Sequence, residues 1–471
     1  MTNLQQADAS SPVPRTALIV LAAGAGTRMR SDLAKPLHRL AGLSMLEHVL
    51  EAGSAIEPDV TILVASEQTS ETPIAIGRSD IRVVIQDPPL GTGHALRLAL
   101  EADPTIDRCV MLYADHPLLT GEIIARLFEA QSAQGVRLAA LTMLAEPGTG
   151  YGRIDRVDGR VVRIVEKADD AERTSTYEAN SGMMALDARW ALPQLQELSP
   201  SPKGEYYVTD LVELATNGSS DGEPVVTVSE SPEFLWGIND RVELAAAETL
   251  LLDRIKTDLM KSGVTIRLPH TVTIEAGVSI GQDTVIESGT IVRRGTSIGQ
   301  RCTIGPNTIV EASTIGDDVT IMSSVVERSR IGNGSDVGPF AHLRPGTDIA
   351  DHVHVGNFVE IKHSRLETGV RAGHVSYLGD AFIGADSNIG AGTITANYDG
   401  VNKHSTTIGT NVFIGSDTIL IAPVEIGDGA KTGAGAVVTR NVAPNQVVVG
   451  VPAKPRTPAE PGMNGKGEHQ G

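Results

Sequence analysis

Aromatic side chains are nearly missing from this chain: two tryptophans, seven tyrosines and six phenylalanines make up 3% of 471 residues. An interior built with so few rings is filled by Ile, Val, Leu and Thr, which suits a narrow core. Cysteine is scarcer still. Cys109 and Cys302 are the only two, in segments that read as separate domains, which argues against a disulfide framework or a cysteine zinc site. Positive charge is in deficit, 39 Lys and Arg against 58 Asp and Glu for a net −19. Broad binding to nucleic acid or to an anionic membrane is therefore not expected, and an anionic substrate must be held by a few well-placed Arg and Lys. Met1–Arg15 has no apolar signal core and no stretch is long enough to span a bilayer, so a cytoplasmic location is expected.

Against these shortages stands one regular feature. An aliphatic residue recurs at every sixth position: Ile274, Ile280, Ile286, Val292, Ile298, Ile304 and Val310, then Ile331 through Ile361, then Ile408, Ile414, Leu420, Ile426, Thr432 and Val438. Glycine often follows, as in Ile280-Gly281, Ile298-Gly299 and Ile414-Gly415. A period of six matches neither a helix, at about 3.6, nor simple strand alternation. It matches a prism with three short faces per coil, one inward aliphatic per face and small residues at the corners, a hexapeptide-repeat parallel β-helix. Such a solenoid can be a stalk with no chemistry of its own.

The length calls for more than one core, and the first half reads differently. Ala17–Ala23, Val60–Ala65, Arg82–Gln86 and Cys109–Tyr113 are expected strands. Helices are expected around Met45–Gly53, His94–Glu101 and Gly121–Gln131. This alternation implies a mostly parallel sheet with ligands outside the carboxyl ends of its strands. Leu244, Leu251, Ile255 and Leu259 mark one face of a connecting helix that closes near Gly263. The expected organisation is a loose tail at 1–14, an α/β domain at 15–239, a connecting helix at 240–263, the β-helix at 264–452 and a second tail at 453–471.

The first strand ends in Gly24-Ala25-Gly26-Thr27-Arg28-Met29, with Lys35 a few residues on. This lacks the third glycine of a dinucleotide fingerprint and the Gly-Lys-Ser/Thr of a P-loop. Backbone N–H groups of a glycine turn can approach phosphates, while Arg28 and Lys35 can neutralise a departing pyrophosphate. Leu21–Met29 with Lys35 resembles the signature of sugar-phosphate nucleotidylyltransferases. The likeness continues through Gln86, Leu90–Ala95, Tyr113–Asp115, Gly150–Ile154, Glu166, Asn180–Gly182, Glu205–Asp210 and Gly237–Asn239. Joined to the hexapeptide region, it covers nearly everything except the tails. The whole resembles the bacterial bifunctional N-acetylglucosamine-1-phosphate uridylyltransferases and glucosamine-1-phosphate N-acetyltransferases.

The resemblance implies an α/β nucleotidyltransferase (Rossmann-like) domain followed by a left-handed hexapeptide β-helix, assembled as a homotrimer acting on small molecules. It implies a UTP pocket at Leu21, Gly24, Lys35, Gln86, Gly91 and Thr92, with Gly152, Glu166, Asn180 and Asn239 toward the UDP-sugar. Asp115 and Asn239 would hold Mg²⁺, in keeping with a cation that prefers few protein oxygens plus phosphates. The reaction would be in-line attack of a sugar 1-phosphate on UTP, aided by Arg28 and Lys35. Ala25, Pro89 and Ala114 depart from common residues of the family; altered affinity is expected from them, with the reaction kept.

Residues that a stalk does not need interrupt the repeat. Thr395 and Ile408 are thirteen apart where two steps of six would give twelve, so a residue or small loop should leave the coil around Asn397–Ser405, and such insertions commonly map to a binding face. The resemblance makes His374 the general base that takes a proton from the attacking amine. It places Arg344, Lys362, Tyr377 and Lys403 on the phosphate of glucosamine 1-phosphate, and Asn388 and Asn397 on sugar and amide. Asn397, Tyr398, Ala391, Ser416, Ala434 and Arg440 map to acetyl-CoA, with backbone donors near Tyr398 available to an oxyanion. Acetylation would then precede uridylylation to UDP-N-acetylglucosamine, a precursor for cell-wall synthesis. Two alternatives remain at this point: a nucleotidylyltransferase with a structural or regulatory β-helix, and a non-catalytic sugar-nucleotide-binding scaffold.

Overall fold

The computed structural model describes residues 13–24, 26–133, 135–147, 149–166, 175–217 and 223–456. The two expected tails lie mostly outside these residues, and Ala25 lies outside them altogether. The chain divides into two compact units between Thr249 and Leu250.

In the first unit a nine-stranded sheet runs, edge to edge, through Val225–Glu230, Leu138–Ala145, Tyr177–Asp187, Arg108–Tyr113, Thr16–Ala22, Val60–Ala65 and Arg82–Ile85. The last four are parallel neighbours, as the alternating pattern implies. Tyr177–Asp187 is antiparallel to both its neighbours and also carries the hairpin Gly152–Val157 and Arg160–Val165. Thr16–Ala22 is buried at all seven positions, the signature of a central strand covered on both faces. Each fully buried Leu, Ile or Val there contributes about 1.5–3 kcal/mol relative to exposure. The helix Met45–Gly53 covers one face, and its start is held by a reciprocal box: Glu47 N–H donates to Ser44 Oγ and Ser44 N–H to Glu47 Oε2.

Two local irregularities shape the rim of the sheet. The register of Tyr177–Asp187 shifts between Asn180 and Met184. Gly182 lies there at φ 85°, where a Cβ would stand 2.7 Å from the Tyr113 ring. Only glycine fits both the backbone and the space.

The helix Arg241–Lys261 begins one residue later than its expected start at Asp240. Leu251 is buried, and Ile255 and Leu259 pack on the core of the second unit. That unit is a stack of coils whose strands, mostly two residues long, pair in parallel with the coil before and after. One continuous 20-stranded sheet wraps two faces and a nine-stranded sheet forms the third. The hexad residues form its core, from Ile274 at 0% exposure to Val438 at 1%, with Ile280 only partly buried. The glycines that follow them are required by stacking. A Cβ on Gly281 would lie 2.6 Å from the backbone of Gly299, and one on Gly299 2.6 Å from Gly316.

The pairing corrects the sequence arithmetic at the insertion. Ile298 pairs with Ile280, 18 residues earlier, whereas Ile408 pairs with Ile383, 25 residues earlier. Thr395 and Ile408 are thus one face apart, and of the two expected alternatives, one residue or a small loop, it is the loop that is present, adding seven residues. The sixfold count could not reveal this because thirteen is close to a multiple of six.

Candidate active sites

The carboxyl ends of Thr16–Ala22 and Arg108–Tyr113 open into a cavity of about 520 Å³, a size suited to a small ligand. Leu21, Gly24, Arg28, Lys35, Gln86, Gly91, Thr92, Asp115 and Asn239 all line it, together with the departing Pro89 and Ala114. Gly26 sits at φ 57° and turns the chain into the short helix that carries Arg28. Gln86 Nε2 donates to Gly91 O at 2.9 Å, and Thr92 Oγ1 accepts from Val208 N at 3.2 Å. The second bond, with Gly93 N donating to Tyr206 O at 2.8 Å, ties this wall of the cavity to the chain around Tyr206.

Charge gathers at the near wall. Lys35 Nζ lies 2.5 Å from Asp115 Oδ2 and 3.4 Å from Asn239 Oδ1, and Arg28 Nη2 donates to that same amide oxygen at 2.8 Å. His116 Nδ1 is 2.8 Å from Asp115 Oδ1. Burial alone would push the Asp115 carboxyl up. The hydrogen bond and charge of His116, then Lys35, outweigh it and hold the group well below the ordinary carboxylate range. Asp115 and Asn239 thus offer two oxygens that converge on one cationic centre, the Lys35 ammonium. That donor set fits Mg²⁺, which takes oxygen ligands and completes its shell with water and phosphate.

Gly152, Glu166 and Asn180 do not line this cavity. They meet one another on the hairpin side instead: Gly152 and Asn180 are cross-strand partners, and a Cβ on Gly152 would stand 3.6 Å from Glu166 Oε2. Thr209 Oγ1 donates to Glu166 Oε1 at 2.9 Å.

In the second unit the expected residues sort by face. Arg344 pairs with Glu360 at 2.8 Å, Glu360 lies beside Tyr377 in the next coil, and the Lys403 and Lys362 side chains are close neighbours. That lysine neighbour pulls the Lys403 ammonium below its ordinary range. Asn388 lies on the adjoining face, beside Arg371. His374 stands exposed at the corner between these faces, with Asn357 Oδ1 3.1 Å from its Nδ1. Ala391, Ser416 and Ala434 continue the same corner in later coils, linked by Gly392 N to Val375 O, Asp417 N to Ala391 O and Gly435 N to Ser416 O. Arg440 is exposed beyond Val437–Val438.

The inserted loop is ordered by itself. Asp399 Oδ1 accepts from Val401 N and Asn402 N, Asp399 Oδ2 lies 2.7 Å from His404 Nε2, and Tyr398 bridges to Lys403. The N–H groups of Asp399, Val401 and Asn402 are therefore engaged within the loop. The backbone donors expected near Tyr398 are largely committed there.

Sequence reasoning passed over His116 and Asn357. His116 adjoins Asp115 and its contact is a matter of ring orientation, which leaves no pattern. Asn357 precedes His374 by one coil of 17 residues, so a count by sixes lands on Gly356 and misses it.

Fold and clefts together define a nucleotidyltransferase joined to a hexapeptide-repeat transferase. Residues 18–216 match the MobA-like NTP transferase domain, and 277–312 and 405–440 match the bacterial transferase hexapeptide of six repeats. The chain is 45% identical over 441 residues to the bifunctional protein GlmU of Pseudomonas fluorescens, covering 92% of this chain and 95% of the relative. It is 46% identical to that of Pseudomonas syringae over 92% and 95%, and 39% identical to that of Corynebacterium aurimucosum over 93% and 91%. The chain belongs to the GlmU family. It is a bifunctional enzyme of UDP-N-acetylglucosamine synthesis, joining acetyl transfer to glucosamine 1-phosphate with uridylyl transfer to N-acetylglucosamine 1-phosphate.

Proposed function

We propose that the two reactions use two separate sets of side chains, one in each unit. Uridylyl transfer is assigned to the cavity at Leu21, Gly24, Gln86, Gly91 and Thr92, with Gly152, Glu166 and Asn180 holding the sugar. Arg28 and Lys35 face the phosphates and offset the charge that develops on the leaving pyrophosphate. Asp115 and Asn239 would hold Mg²⁺, which would screen phosphate charge when bound. The observation that carries this reading is the meeting of both side-chain oxygens and both cations within hydrogen-bond reach.

Acetyl transfer is assigned to the corner column. His374 takes the proton from the amine through Nε2, since Asn357 faces Nδ1. Arg344, Lys362, Tyr377 and Lys403 bind the acceptor's phosphate and Asn388 its sugar. Asn397, Tyr398, Ala391, Ser416, Ala434 and Arg440 receive acetyl-CoA. A homotrimer that completes this site is supported by Phe340, Phe358 and Val375, each more than half exposed and close to His374 in the coil stack. Phe340 and Phe358 stack at 5.3 Å, an apolar surface that a neighbouring subunit would cover. A cytoplasmic location accords with the substrates, and no helix among the described residues is long and apolar enough to cross a membrane.

The test is thiol release from acetyl-CoA with glucosamine 1-phosphate and no UTP. Turnover that disappears in His374→Ala while uridylyl transfer persists, with the reverse result in Asp115→Ala, is expected. Loss of both reactions from either change in a folded protein would end the two-site reading.

A further inference from the structure

The seven-residue insertion leaves its coil at the side chain, and rejoins it at the backbone carbonyl, of one residue that none of the roles above includes. As the loop departs, Asn397 Nδ2 donates to Asp380 Oδ2 at 2.5 Å. As it returns, Thr406 N donates to Asp380 O at 3.2 Å. Asp380 N in turn donates to Lys362 O at 3.0 Å, and Asp380 Oδ1 lies 3.2 Å from His363 Nδ1. The Asp380 side chain is 16% exposed, and Asn397 is buried. Between these feet the loop is held by its own bonds through Asp399, so it moves as a unit and its placement depends on the feet.

We infer that Asp380 is a positioning residue for acetyl transfer: through Asn397 and the root of the loop it sets where Tyr398 and Lys403 stand relative to His374. The inference rests on the assignment of acetyl transfer to this region. Asp380 touches no reacting atom in that assignment and acts through Asn397. Its backbone, at φ 49°, is of a kind that Asp, Asn and Gly adopt with least strain. Charge plays a part as well, since the Asp380 carboxylate opposes the pull of Lys362 on Lys403.

The backbone conformation supplies a clean test in the full-length enzyme. Asp380→Gly removes the carboxylate without straining the turn, whereas Asp380→Asn keeps an oxygen for Asn397. The thermal midpoint of the β-helix, measured in parallel, reports folding of the unit that carries Asp380, and uridylyl transfer reports folding of the other. Acetyl-transfer kcat/KM is expected to fall on the order of 100-fold in Asp380→Gly, the scale of a small misplacement of groups that orient substrate. Asp380→Asn is expected to recover most of it. Asp380→Ser, too short to reach Asn397, replaces the glycine variant should that one not fold. Parent-like acetyl transfer in Asp380→Gly, or an asparagine variant as impaired as the glycine one, overturns the inference. His374→Ala is assayed alongside. Retained acetyl transfer there sinks the site assignment itself, while an inactive His374→Ala beside a fully active Asp380→Gly sinks only the role of Asp380.

Discussion

Lys35 Nζ lies 2.5 Å from Asp115 Oδ2 and reaches toward Asn239 on its other side. One ammonium therefore stands between the two oxygens assigned to Mg²⁺, and metal and lysine compete for them until phosphates draw the lysine away. Lys35→Met is expected to tighten Mn²⁺ binding to the nucleotide-free enzyme about fivefold, the worth of a partly exposed ion pair of ~1 kcal/mol. The same change slows uridylyl transfer. Titration of free Mn²⁺ by its paramagnetic signal reads the first effect, and weaker Mn²⁺ binding in the variant would contradict it.

Asn357 faces one nitrogen of His374 and leaves the other to the amine. Asn357→Ala frees the ring to rotate and to change tautomer, so kcat for acetylation should fall about tenfold, less than the roughly 100-fold or more expected for removal of a general base. KM values should change little. An effect confined to KM would assign Asn357 to substrate binding instead.

The inserted loop carries its own acid limit. Asp399 is lowered from 3.8 to about 2, chiefly by the backbone N–H of Asn402, then by His404 and the N–H of Val401. A carboxyl depressed in the folded state contributes order that is complete above its ordinary value and is lost as pH falls through the folded one. The loop should thus stay closed at pH 4 and above and open progressively toward about pH 2. Amide hydrogen exchange at Val401 and Asn402 follows this directly; protection already lost at pH 5 would refute it.

Thr432 occupies a place in the hexad where Ile or Val usually stands, yet its hydroxyl accepts from Gly415 N at 2.9 Å and meets Thr418 Oγ1 at 2.9 Å. Thr432→Val fits the repeat better by sequence and should still destabilise by about 1–3 kcal/mol, because a buried N–H loses its partner. A lower thermal midpoint for the β-helix checks this, and an unchanged or raised one would disprove it.

What was readable in the chain follows the reach of each signal. Val60–Ala65, Met45–Gly53 and Gly121–Gln131 form where burial and helical periodicity placed them, since both are local. Ile274 to Val438 declared the β-helix because every coil must bury the same column. The true length of the insertion stayed hidden, since only strand pairing tells which face Ile408 occupies. Likewise Leu21, Gln86 and Asp115 line one cavity as motif order implied, while Gly152, Glu166 and Asn180 are not among its lining residues and meet one another on the hairpin side. His116 and Asp380 act through side-chain orientation, which neither period nor composition records.

The 20-stranded sheet remains unbroken across the coil that carries the insertion, since Ile394–Ala396 still pairs with Ile419–Ile421 on the following coil. Two faces keep their hydrogen bonds whatever leaves the third corner. That corner is a place where chain can be lengthened, shortened or exchanged at little thermodynamic cost. New acceptor preferences could accordingly be grafted onto this scaffold one loop at a time, with the rest of the prism unaware of the change.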